Sequence, residues 1–280
     1  MLQGGSCGAA IFALFLSAGI HAQQPPTAIP QTKFNSGQDV VPTFDGWLRN
    51  NDGTFTFVFG YMNRNYQEEL AIPAGENNRV DPEGAIDRGQ PTYFLPRRHP
   101  WVFRVQVPAD WGRKELVWTI TAHGRTEKAY ASLQAEEEIV PRLIMSRGNL
   151  NPGLEDPNQP PVVSIPEVAA AAVGARVSLT ALVTDDGLPK ARVPKARPEV
   201  APGAAQINSN VRRSTGLSVS WYQYRGPAKV TFDSPEPIRV SDGKAVVTAQ
   251  FSEPGTYILR ASADDGELST VADVTIHVTR

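Results

Sequence analysis

The chain has 280 residues, enough for two domains of ordinary size. Its 27 Lys and Arg stand against 29 Asp and Glu, a net charge of −2, so nothing global selects for nucleic acid. Glycine (23) and proline (24) are abundant, which favours turn-rich β structure over helical bundles.

The N-terminus is a separate object. Ala9 to Ile20 is one apolar run, too short to span a bilayer comfortably. Ile20-His21-Ala22 follows as a cleavage tripeptide, then the polar QQPPT. Residues 1–22 therefore read as a secretory signal peptide, although no Lys or Arg precedes the apolar run. No transmembrane segment is expected after its removal. Cys7, the single cysteine, lies ahead of the run, so the mature chain is expected to hold neither disulfide nor thiol chemistry. Gly4 to Gly8 matches the G-x-S-x-G nucleophile pattern but follows no strand, and it is discarded.

From Val40 the pattern has period two. Residues 54–62, 101–107 and 115–122 alternate apolar and polar side chains. Asn51-Asp52-Gly53 marks a hairpin, and His123-Gly124 turns the chain into AYASL. Long Pro-, Gly- and Asn-rich loops separate these runs. Residues 23–133 are read as an N-terminal β-sandwich module and 134–160 as a polar, proline-rich linker. The linker is expected to carry one edge strand at Leu143 to Met145 and no convincing helix, since Pro141 stops LQAEEEIV.

Seven short strands follow, at 162–165, 175–184, 217–224, 229–232, 245–251, 256–263 and 272–278, which suggests a second sandwich over 161–280. Alternation puts Val177, Leu179, Ala181 and Val183 on one face, and Tyr257, Leu259, Ala261 and Ala263 on another. A basic, Pro-rich insertion at 188–216 breaks the rhythm; its Lys and Arg are opposed only by Glu199. The fold class expected is all-β, two β-sandwich domains with the second immunoglobulin-like.

VTDDGLP (183–189), SWYQYRGPAKVTF (220–232) and SEPGTYILRASADDGELSTVADVTIHV (252–278) closely resemble bacterial PKD-type (polycystic-kidney-disease-type) immunoglobulin-like domains. That resemblance implies a cysteine-free sandwich. Trp221 would be the buried Trp of the third strand, Tyr257 a tyrosine corner, and Leu259 the stand-in for the second cysteine of antibody domains. In the first module, FGYMNRN, IPAGENNR, GAIDRGQPTYFLPRR and LVWTITAHGRTEKAYAS resemble a small β module that recurs in bacterial extracellular proteins, a likeness that assigns no activity.

Candidate chemistry is sparse. His99, His123 and His277 lack a His or Cys at metal-ligand spacing and read as surface histidines, His99 in a loop. Glu68-Glu69 and Glu136 to Glu138 are contiguous, so they do not supply the two carboxylates about 5–9 Å apart that a glycosidase needs; they read as solvated edges. Trp47, Tyr61, Tyr66, Tyr93, Phe94, Trp101 and Trp111 would bind sugar if exposed on one face, but their alternation makes core the default. In an immunoglobulin-like sandwich the B–C and F–G loops share one end with the start of strand A. Asp185, Asp186, Asp264, Asp265 and the linker residues Asp156 and Asn158 should therefore meet there. Such oxygen ligands suit Ca²⁺; the competing reading is that Asp-Asp-Gly is an Asx turn bonded to backbone amides. No other cofactor is expected.

These readings point to a secreted, periplasmic or cell-surface protein without enzymatic activity, a binding or spacer module whose partner is protein or polysaccharide at the cell envelope. The alternatives are a carbohydrate-binding accessory protein of a polysaccharide-degrading system and an enzyme of unrecognised type. A concave cleft with convergent polar groups would favour the enzyme; a flat aromatic face would favour sugar binding.

Overall fold

The alternating runs become strands because a half-buried pleated surface hides every second side chain. The structure, a computed structural model, describes residues 33–81, 84–149, 157–190 and 216–280. The signal peptide, Asp156 and most of the basic insertion lie outside the described residues. The protein is all-β, built as two β-sandwich modules, the second immunoglobulin-like.

The first module contains β1 (Val40–Arg49), β2 (Phe55–Asn63), β3 (Leu70–Ala71), β4 (Asn78–Asp81), β5 (Tyr93–Phe94), β6 (Arg97–Val107), β7 (Leu116–Ala122) and β8 (Arg125–Ala131). Strands β1-β2-β6 form one antiparallel sheet, β4-β7-β8 a second, and β3-β5 a short third. The β1–β2 hairpin turns where Asn51-Asp52-Gly53 marked it. Gly53 sits at φ +83° and its amide donates to the Asn50 carbonyl at 3.1 Å, while Asp52 accepts from the Thr54 amide at 3.0 Å. A side chain at that φ would be strained, which is why glycine stands there. The core gathers Phe57, Phe59, Phe103, Leu116, Trp118 and Ile120. Trp118 is fully buried, its ring 5.4 Å from Phe103 and 5.9 Å from Phe59, and its Nε1–H donates to Asn78 Oδ1 at 2.9 Å.

The linker differs from the sequence reading. Leu143 to Met145 lie in a one-turn helix, α1 (Pro141–Met145), rather than an edge strand, preceded by a 3-10 turn at Ala135–Glu137. Pro141 starts this helix because the first helical position needs no amide hydrogen bond. The segment is also docked. Ile139 donates its amide to the Trp47 carbonyl at 2.9 Å, and Trp47 Nε1–H donates to the Gln134 carbonyl at 2.7 Å.

The second module contains β9 (Val162–Ser164), β10 (Ala171–Ala172), β11 (Arg176–Thr184), β12 (Ser218–Arg225), β13 (Val230–Phe232), β14 (Ile238–Arg239), β15 (Lys244–Phe251), β16 (Gly255–Asp264) and β17 (Ser269–Thr279). The order β13-β15-β11-β9 is the D-E-B-A sheet of an immunoglobulin-like sandwich, and β12-β16-β17 is its C-F-G sheet. Strand β10 adds to the latter by running parallel to β17, and β14 pairs with β12. Leu179, Ala181, Leu259, Ala261 and Ala263 are fully buried, as their alternation requires, and Trp221 is 9% exposed. Tyr257 makes the tyrosine corner: its hydroxyl donates to the Glu253 carbonyl at 2.9 Å.

Candidate functional site

The acidic loops do meet at one end of the second module. Asn158 donates its side-chain amide to Asp265 Oδ2 at 3.3 Å, and Asp186 Oδ2 accepts from the Gln159 amide at 2.9 Å. Linker, B–C loop and F–G loop are thus joined. The carboxylates, however, are engaged with backbone. Asp185 accepts from the Gly187 amide at 3.0 Å, Asp186 from Leu188 at 2.9 Å, Asp264 from Gly266 at 2.6 Å, and Asp265 from Glu267 and Leu268 at 2.7 Å each. Asp264 also forms an ion pair with Arg147, just beyond α1. Among the described residues no group of three or more His, Cys, Asp or Glu side chains lies close enough to hold a metal ion. Burial first, then the neighbouring Asp265 and Asp186 charges, push the Asp185 carboxyl above the usual carboxylate range, against the Gly187 amide that pulls it down.

This arrangement latches the linker to the sandwich. Ser269 donates to the Met145 carbonyl at 3.2 Å, and Arg142 to the Asn158 carbonyl at 3.3 Å, from the same short segment. Each carboxylate spends at least one oxygen on an amide or on Arg147, and although Asp185 Oδ1 is buried without a partner, no third acidic group stands by it among the described residues, so we expect calcium to raise the melting temperature no more than sodium at equal ionic strength. A calcium-specific rise, worth about 2.7 kcal/mol at a hundred times the dissociation constant, would restore the six residues as ligands.

A second cluster, which sequence reasoning missed, lies where the two modules touch. Phe34–Arg280 forms one compact unit with two separate cores, and groups on β12 and β16 of the second module reach the first. At the centre of this cluster is Arg260, 9% exposed. Its Nε and Nη2 donate to the two oxygens of Asp273 at 2.6 and 2.8 Å, a bidentate pair across β16–β17. Its Nη1 donates to the Val102 carbonyl of the first module at 2.8 Å, and its guanidinium lies 3.9 Å from the Tyr224 ring centre. The desolvation that would lower the Arg260 pKa is outweighed by Asp273, so the group stays charged.

Around Arg260 the strand end of β12 is stitched to the loop before β5. The Thr92 amide donates to the Tyr224 carbonyl at 3.2 Å, Tyr224 Oη to the Gly89 carbonyl at 2.7 Å, and the Gly226 amide to Thr92 Oγ1 at 3.1 Å. Gly226 is required: a Cβ there would stand 2.3 Å from the Tyr257 ring. Two ion pairs flank the seam, Arg225 with Asp87 at 2.6 Å and Lys229 with Glu69 at 2.8 Å. Glu69 also accepts from Tyr93 Oη at 2.6 Å, so it is a tie between modules rather than a solvated edge.

The remaining candidates resolve simply. Trp47, Tyr61, Tyr93, Phe94 and Trp111 are buried, while Tyr66 and Trp101 reach the surface, Tyr66 under the Arg97 guanidinium at 3.9 Å. Most of the aromatic set is therefore core. His99 lies on β6, not in a loop. It stacks on Tyr61 at 4.9 Å, and burial pushes its pKa below the usual histidine range. His123 occupies its hairpin turn at φ +49°, 3.2 Å from Glu68, and His277 is exposed on β17. His277 Nδ1 lies 3.2 Å from the Thr256 hydroxyl across β16–β17, an exposed pair.

No family model matches the chain, and no curated protein sequence matches it. Among solved structures, a conjugative transposon lipoprotein from Bacteroides eggerthii is similar over 42% of this chain and 98% of its own, with 9% identity and a TM-score of 0.26. A domain of intimin is similar over 86% of this chain and all (100%) of its own, with 12% identity and a TM-score of 0.28. An I-band fragment of titin is similar over 86% of this chain and 64% of its own, with 9% identity and a TM-score of 0.25. At such scores the likenesses carry no argument about function.

Proposed function

We propose that this is a secreted or cell-surface protein of the envelope that works as a rigid spacer and binding module, without catalysis of its own. The observation that supports the reading most is the Arg260 junction. A buried charge with three hydrogen bonds reaches across two sandwiches and fixes them as one body, which a protein that only needed two tethered domains would not require. We read the second module as PKD-type and the signal at residues 1–22 as the route of export. Among the described residues no helix is long and apolar enough to cross a membrane.

The test is a distance. Spin labels at the exposed Lys128 of β8 and Lys244 of β15 should give one narrow distance distribution in the exported protein, whose first residue should be Gln23. A broad or two-peaked distribution would remove rigidity from the reading, and an unprocessed N-terminus would remove export.

A further inference from the structure

Beside the junction lies an open cleft of about 380 Å³, within the range of small-ligand sites. Four arginines line it, Arg88 and Arg104 from the first module and Arg225 and Arg260 from the second. Two are matched, Arg260 by Asp273 and Arg225 by Asp87. The other two are not. The Arg104 side chain makes no ion pair or hydrogen bond among the described residues, and Arg88 makes no ion pair there, its Nε donating only to the Ala85 carbonyl at 3.4 Å while its Nη2 is buried without a partner. Protein packed around Arg104, and then the Arg260 charge, depress its pKa, the mark of a cation crowded by another. The cleft therefore carries positive charge that the chain itself does not neutralise. Its other wall is apolar. Trp101, Val102, Ile258 and the half-exposed Val271 line it, and Trp101 is held in place by its amide donating to Asp45 Oδ2 at 2.8 Å.

We propose that this cleft binds a carboxylate carried on a sugar ring, a uronate unit of an acidic polysaccharide. The planar guanidinium of Arg104 offers two parallel donors that match a carboxylate, and the indole and aliphatic wall suits the C–H face of a pyranose. The site is distinct from the aromatic face that a sugar-binding first module would need, since it draws on both modules and on charge. It rests on the reading of the junction as rigid, because the four arginines converge only while the modules stay docked.

The test is calorimetric titration of the mature protein with a galacturonate oligomer, its methyl ester and an oligo-glutamate of equal charge. The acid form should bind. Esterification and Arg104→Glu should each weaken binding about tenfold or more, with Arg104→Lys in between because it keeps the charge but loses the fork. Arg104→Lys, which keeps the charge at this solvent-exposed position, should keep the wild-type melting temperature. A chain lacking residues 190–215 should bind as before. Equal binding of the ester, an unaffected Arg104→Glu variant, loss of binding with the insertion, or oligo-glutamate bound in preference to galacturonate would each overturn the proposal, the last in favour of an acidic peptide. Loss of uronate binding with the label distances intact would sink the ligand and leave the spacer.

Discussion

Asp273→Ala is expected to destabilise the protein by about 3 kcal/mol, the lower end of what breaking a buried ion pair costs. The lower end applies because Asp273 is 39% exposed, whereas Arg260 is only 10% exposed and would be left charged and uncompensated. Most of the penalty belongs to that orphaned guanidinium, not to lost attraction. The double change Asp273→Ala with Arg260→Met should therefore be more stable than Asp273→Ala alone, because an apolar side chain can cover Tyr224 without a counter-ion. Denaturant unfolding of the three proteins decides it. A double variant no better than the single would show that the pair contributes by attraction and not by avoiding a buried charge. The same single variant should broaden the label distances, since Arg260 is positioned by Asp273 to reach the Val102 carbonyl.

Trp221→Ala should cost about 3–5 kcal/mol, the range for emptying a buried aromatic site. The indole sits on β12 opposite Ala261, and the small side chains Ala261 and Ala263 leave it the space between the sheets. Its Nε1 makes no hydrogen bond among the described residues, so the loss should be one of packing. Trp221→Phe, which keeps much of the ring, should accordingly fall well short of the alanine variant. The reading to take is the denaturation midpoint at unchanged slope. A loss below about 1 kcal/mol for alanine would mean that the second core does not depend on this residue.

The sandwiches were legible because period-two alternation is a local record of which side chains a sheet hides. Each of the seven strands expected after residue 161 is present, to within a few residues at its ends. The tyrosine corner could be read for the same reason: Tyr257 and its acceptor Glu253 are four positions apart. The meeting of Asp185, Asp265 and the linker followed from topology, because B–C and F–G loops share an end in this fold. Their chemistry did not follow, since Asp-Asp-Gly writes a turn and an oxygen cage in the same letters. The short linker helix was missed because a single turn has no apolar period to read.

The junction was invisible for a different reason. Arg260 alternates with Tyr257, Leu259 and Ala261, so its strand position alone assigns it to solvent, as it does the outward tyrosines Tyr222 and Tyr224. Only the tertiary structure decided that another module covers that face. Lys229 and Glu69 are 160 positions apart and Arg260 and Val102 are 158, and no local pattern couples residues at such distances. The sequence by itself determined two all-β sandwiches and the inward face of each strand, because burial within a sheet is set by neighbouring residues. Their locking together and the arginine cleft beside the seam depended on where two outer surfaces happened to match in shape and charge, which the chain's order does not encode locally.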